Sequence, residues 1–362
     1  MKKPAAAFIC MLCCALFLFV MGCPAAMAEE TAEGKVYALE TEDGNPLTHL
    51  CGAPEVGDEY IAGDNGHYRV EAVDHTTLTA RASRLGEYPM PDVGWLQEDA
   101  RPVSAQRRAV AIYCTHSDES YTPTDGKSSD EERGGIYDVA EAFKQELEKN
   151  GITVYYSDET HHPHDAGAYR RSRATAARLV EQGVDAVMDI HRDGIEDPAS
   201  YESRVDGEEM TKVRLLVGRS NQNSGANKSF AAQLKAVGDE MYPGLIKDIY
   251  IGKGTYNQDL LPHAVLLEFG TYTNEKEDVL TSTGRMAEVM NKTLYGGVSG
   301  AAPARQEENK SAWTGVIWLV VGALVAAGVY AFVSTGSGKG AMEKWKRTFQ
   351  EMGGGVTGRK KK

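Results

Sequence analysis

Ala109-Val110-Ala111-Ile112-Tyr113-Cys114-Thr115 carries no charge and runs straight into His116. Ala186-Val187-Met188-Asp189-Ile190, apolar but for Asp189, runs into His191. Ala264-Val265-Leu266-Leu267 runs into Glu268. Short, nearly continuous apolar runs are what strands buried on both faces look like. Ile152 to Tyr156 and Val213 to Val217 are two more. The segments between them have the helical period. Ile136, Val139, Ala140, Phe143 and Leu147 share one helical face, as do Phe230, Leu234, Val237 and Met241. Arg173, Ala177 and Val180 mark a third, more basic helix. Strands alternating with helices predict an α/β domain over 106–298, a mixed or mostly parallel sheet with helices on both faces.

The residues on either side differ in kind. Lys35 to Leu39, Glu59 to Ala62, His67 to Val73 and Thr77 to Ala82 read as short strands, with Asp43-Gly44 and Asp64-Asn65-Gly66 as turns between them. They predict a small β domain over 29–88, and prolines 89, 91 and 102 mark a linker over 89–105. Lys2 and Lys3, an apolar run and Ala26-Met27-Ala28 predict a signal peptide over 1–28; Cys23 is a weaker candidate for lipid attachment. Trp313 to Val333 contains no charge and is long enough to span a bilayer. The stretch 299–312 reads as a polar tether, and 334–362 as a basic tail. The basic residues after 333 place that tail in the cytoplasm and the body outside the cell membrane, in a single-pass arrangement.

The chain has 362 residues, and 42 % are hydrophobic, which excludes wholesale disorder. Its net charge is −13, and both ends are basic, so the body between them is more acidic still. Such a body repels polyphosphate, so nucleic acid is not expected as a partner. Of six cysteines only Cys51 and Cys114 lie beyond the leader, too few for a disulfide scaffold. Whether those two pair cannot be read from sequence.

In open α/β sheets, ligands bind beyond the carboxyl ends of the strands. His116, His191 and Glu268 all stand at such ends, and Glu119 follows His116 by one helical turn. Two imidazoles and a carboxylate are a common catalytic zinc set that leaves one position for water. His116, Glu119 and His191 are therefore the candidate ligands, with Glu131 and Glu132 as rivals for the carboxylate. Glu268 is the candidate general base and acid. The apolar strand before it desolvates its carboxyl, which favours a raised pKa. His161, His162 and His164 look metal-rich, but Pro163 and Asp165 among them predict an exposed loop. Arg173 and Arg192, and Asn257 in Tyr256-Asn257-Gln258, are candidate substrate contacts, because guanidinium grips carboxylates bidentately. Solvated helix face and plain turn are the bland alternatives. Gly-x-Ser-x-Gly, Walker and His-Glu-x-x-His patterns are missing, and Gly252-Lys253-Gly254 lacks a dinucleotide fingerprint.

Thr115-His116-Ser117-Asp118-Glu119-Ser120-Tyr121, Asp189-Ile190-His191-Arg192-Asp193, Tyr256-Asn257-Gln258 and Leu267-Glu268-Phe269-Gly270 resemble, in this order, the stage II sporulation protein P family. Tyr169 to Arg173 resembles it too, and the likeness covers about 106–295. The resemblance implies a fold similar to the zinc N-acetylmuramoyl-L-alanine amidases. It implies zinc-dependent cleavage of peptidoglycan between N-acetylmuramic acid and L-Ala, with an endopeptidase activity on cross-links, during sporulation and engulfment. It implies stage II sporulation proteins D and M as partners. By position it makes His116 and His191 metal ligands, Glu268 the catalytic glutamate and Glu119 the acidic member of His-x-x-Glu. Members of the family are expected to be anchored near the amino terminus, whereas the apolar span here lies near the carboxyl end. The rival expectations are a metallocarboxypeptidase acting on stem peptides and an inactive wall-binding scaffold.

Overall fold

The computed structural model describes residues 34–97 and 108–296. The leader expected over 1–28, residues 98–105 of the linker, the tether, the span over 313–333 and the tail lie outside them. No helix among the described residues is long and apolar enough to cross a membrane.

The apolar runs are strands. β6 (Ala109–Tyr113), β7 (Thr153–Tyr156), β8 (Ala186–Asp193) and β13 (Ala264–Thr271) lie side by side and parallel, in the order β13-β8-β6-β7. β11 (Val213–Gly218) joins β13 antiparallel, and β12 (Ile246–Gly252) joins β11 parallel, so the sheet is mixed. Every residue of β6 and β11 is buried, as strands covered on both faces require.

Alternation along β6 divides the core in two. Val110 and Ile112 face the side covered by α1 (Ile136–Lys149), α3 (Ser224–Met241) and α4 (Lys276–Tyr295), meeting Phe143, Phe230, Leu234 and Met286. Ala109, Ala111 and Tyr113 face the other side and meet Ala176 and Leu179 of α2 (Ala168–Val180). The helices expected around Ile136, Phe230 and Arg173 are thus α1, α3 and α2. β12 and α4 were not anticipated.

The amino-terminal strands extend this sheet. β1 (Val36–Thr41), β2 (Pro46–Cys51), β3 (Glu59–Ile61), β4 (Gly66–Asp74) and β5 (Thr79–Glu87) continue it in the order β2-β1-β5-β4-β3-β12. β3 pairs antiparallel with β12, Tyr60 opposite Tyr250. Their apolar side chains, Leu39, Leu50, Tyr60 and Val70, pack with Tyr169, Leu216, Tyr250 and Leu266 in one cluster. The described part of the stretch 29–88, expected as a small β domain, therefore shares both sheet and core with the α/β part. A separate two-stranded hairpin is formed by β9 (Glu202–Val205) and β10 (Glu208–Thr211).

Candidate metal centre

β6 delivers the chain into Thr115–Tyr121, every residue of which is buried. Thr115 starts the turn by donating from its amide and its hydroxyl to the two oxygens of Asp189 on β8, at 2.8 and 2.6 Å. The loop is then laced from outside. Gly134 N–H donates to Ser117 O, Asp130 N–H to Asp118 O and Ile136 N–H to Glu119 O. Gly134 comes so close that a Cβ there would stand 2.5 Å from Glu119 O. Tyr121 Oη donates to Phe269 O at 2.9 Å, fastening the loop to β13 just past Glu268.

The result brings His116, Glu119 and His191 together. One donor atom from each lies within 4.8 Å of the others, and all three side chains are buried. Glu119 Oε1 is 3.2 Å from His116 Nδ1 and 3.4 Å from His191 Nδ1, and Glu119 Oε2 accepts from Arg192 N–H at 3.0 Å. His191 Nε2 stands 3.0 Å from Asp189 Oδ1, although misaligned for a full hydrogen bond. A carboxylate behind a ligating imidazole is the usual way its ring is oriented. Glu131 and Glu132, the rival carboxylates, are exposed and outside the group.

The charges fit a cation. Burial works against a charged Glu119, but His191, with hydrogen bonding from His116, holds its carboxyl well below the usual range. Burial likewise works against a charged His191, and Asp189 and Glu119 overcome it, so the imidazole pKa lies well above normal. A buried group in which carboxylates pull a proton onto an imidazole is short of positive charge. A divalent ion, bound through deprotonated donors, supplies it.

Glu268 is the register partner of His191 across β13 and β8. It shares with His116, Glu119, His191 and Arg192 a cavity of about 270 Å³, whose wall also includes Cys51 and Gly52 of the amino-terminal part. A bulge follows Glu268: Phe269 and Gly270 stand opposite Arg192 alone. Gly270 takes φ +66, and a Cβ there would crowd Asn274, Thr211 and Val279 at 3.0 to 3.2 Å. Bulges of this kind re-aim a neighbouring side chain.

The other candidates separate. Arg192 lines the cavity; it donates to Ser128 O and stacks on Tyr272, and its buried Nε finds no partner among the described residues. Arg173 is elsewhere, gripping Asp259 with two bonds of 2.7 Å. Asn257 is buried away from the cavity wall, donating to Tyr169 O and Ser172 Oγ. The histidine loop is not exposed as expected. His161 is buried between Cys114 O and Thr175 Oγ1, because Arg171 Nε reaches back to His161 O and draws the loop in. His164 lies in the cavity wall, its ring stacked on His116 with centroids 3.8 Å apart and its Nδ1 3.1 Å from Asp118 Oδ1. Burial opposes the charge on Asp118, but hydrogen bonds from His164 and Ser129 bring its carboxyl down to about 2. No disulfide joins Cys51 and Cys114.

Two features had no sequence reading at all. Arg214, near the start of β11, is buried, and Tyr201, after a short helical turn, is fully buried beside Glu268.

A family model, that of stage II sporulation protein P, matches residues 61–291. The chain belongs to that family. The match reaches back into β3, so the family unit takes in part of the amino-terminal strands as well as the α/β part. Stage II sporulation protein P of Bacillus subtilis (strain 168) is 27 % identical over 218 residues, 55 % of this chain and 54 % of that protein. The chain thus spans about half the length of the curated relative. Among solved structures, an N-acetylmuramoyl-L-alanine amidase from Clostridium difficile 630 is 16 % identical, covering 51 % of this chain and 94 % of its own, with a TM-score of 0.34. An amidase of Nostoc punctiforme is 15 % identical, covering 52 % and 96 %, with a TM-score of 0.32. At these scores the likeness does not by itself establish a shared fold.

Proposed function

We propose that this member of the stage II sporulation protein P family is a zinc-dependent amide hydrolase of peptidoglycan. It cuts between N-acetylmuramic acid and L-Ala, with an endopeptidase action on cross-links, in the wall remodelling of sporulation. What carries this is the gathering of His116, Glu119 and His191 in one buried group, with Glu268 in the same cavity.

His116, Glu119 and His191 would hold the zinc, which when bound would supply a Lewis acid and lower the pKa of water toward neutrality. Glu268 takes the proton from water on its carboxylate and returns it to the departing nitrogen. Asp189 and Asp118, the latter through His164, keep the two imidazoles in place. Arg192, in the cavity wall, offers its guanidinium to a carboxylate of the stem peptide. The leader over 1–28 would direct export, and the span over 313–333 would hold the domain outside the cell membrane. Peptidoglycan is the macromolecular substrate, and the family suggests stage II sporulation proteins D and M as partners.

Mass spectrometry of wall digested by the zinc-loaded chain tests the activity. Intact stem peptides freed from glycan are expected. Release of terminal amino acids alone would favour the metallocarboxypeptidase, and binding without new amino groups would favour the scaffold. Either outcome would reject the amidase.

A further inference from the structure

Arg214 is an arginine within a fully buried strand, which is costly unless every donor is met. Its partners come from four directions. Nε and Nη2 donate to the two oxygens of Asp248 on β12, at 2.7 and 3.0 Å. Nη1 donates to Asp193 Oδ2 on β8 at 2.8 Å. Nη2 also reaches Thr48 Oγ1 and His49 O on β2, at 2.9 and 3.1 Å. The same guanidinium stands 3.8 Å from Glu268 Oε2, its cross-strand register partner.

Tyr201 completes the arrangement. Its Oη is 2.7 Å from Asp193 Oδ2 and 3.1 Å from Glu268 Oε2. One phenolic proton serves one of these oxygens at a time. A hydroxyl that donates to Asp193 can accept from Glu268, and one that donates to Glu268 leaves Asp193 to Arg214. Oε2 is thus held with or without a proton of its own. Lys247 packs under the Tyr201 ring, 4.9 Å from its centroid, and donates to Thr48 Oγ1 at 2.9 Å.

We propose that Tyr201 and Arg214 are positioning residues that seat the Glu268 carboxylate, and that Thr48 and His49 make the amino-terminal strands part of that seat. The proposal rests on Glu268 being the general base. A purely structural cluster has no need of a hydroxyl shared with a carboxylate of the cavity wall. It has no need, either, of a distant strand that supplies its last acceptors.

Tyr201→Phe removes one oxygen and keeps the ring. On peptidoglycan its kcat should fall between about tenfold and about 100-fold, the scale on which misplacement by about 1 Å acts. KM should stay within about twofold and bound zinc unchanged. In a Glu268→Gln background the same substitution should cost nothing further, because the group it seats no longer takes protons. Wild-type kcat, or an equal loss in both backgrounds, overturns the proposal. Thr48→Val should lower kcat in the same manner by a smaller factor; an unchanged rate would remove the amino-terminal strands from the seat. A crystal structure of Tyr201→Phe decides the matter without turnover. A displaced Glu268 carboxylate is expected, and one in its wild-type place refutes the seating. A wild-type chain that leaves the wall intact would sink the amidase reading, whereas the crystal structure would still report on the seat.

Discussion

A carboxylate that must take a proton and give it back has to be desolvated without being neutralised by a close cation. Glu268 is desolvated, its side chain 12 % exposed at the end of an apolar run, and the guanidinium of its ion-pair partner Arg214, 3.8 Å away, gives its hydrogen bonds to Asp248 and Asp193 instead. Glu268→Gln should keep its zinc and lose between about 100-fold and about 10,000-fold in turnover, the usual worth of a general acid–base group. Muropeptide release read beside metal content checks it, and release at the wild-type rate would reject the role. His191→Ala should lose the metal as well, since it removes a ligand and leaves Glu119 and Asp189 facing each other; full zinc occupancy would overturn the assignment. These residues were legible because each ends an apolar run, a position that already means something in an α/β sheet. Arg214 was not, because a lone arginine in an apolar strand reads as an exposed residue until Asp248 and Asp193 arrive from distant strands. His164 was misread for a similar reason. Pro163 and Asp165 do signal a loop, but the bonds from Arg171 that fold it inward are invisible in a linear pattern.

At the scale of elements, strands buried on both faces were the easiest to read. β6, β8 and β13 needed only an apolar run, whereas β12, with Lys247 and Asp248 near its start, looked polar until Arg214 supplied partners. The loop after β6 is the element on which the metal group depends, and Gly134 sets its shape. A methyl at Gly134 would meet Glu119 O at 2.5 Å and Ser117 O at 2.6 Å, backbone atoms that cannot step aside singly. Gly134→Ala should therefore shift the loop, costing about 1–3 kcal/mol in stability as overpacking does. Because Glu119 moves with it, zinc affinity should fall by about tenfold to about 100-fold, as it does when the support of a ligand is lost. Zinc titration beside thermal melting measures both. Unchanged affinity in a destabilised variant would show that Glu119 is not placed by this contact.

For the whole molecule, the mixed sheet of eleven strands is pinned near its middle by one ionic cluster. Arg214 and Asp248 link β11 to β12, Asp193 brings in β8, and Thr48 brings in β2. Burial pushes the Asp248 carboxyl up, but Arg214 and then Lys247 outweigh it, so its pKa lies below the ordinary value. Its contribution is thus fully present above the unfolded-state pKa of about 3.9 and is lost as pH falls through the lower folded-state pKa. Asp248→Asn takes away the charge and leaves Arg214 and Lys247 crowded with one carboxylate fewer. At neutral pH it should lose about 3–5 kcal/mol, the range for breaking a buried pair from one side. The deficit should shrink below about pH 4, because the unfolded wild type then takes up a proton that the folded one refuses, while the asparagine variant has no such group. Denaturant melts of both proteins from pH 7 down to acid measure the gap. A gap that stays constant throughout would mean that Asp248 does not ionise in the fold, and that the central cluster is held together by packing instead.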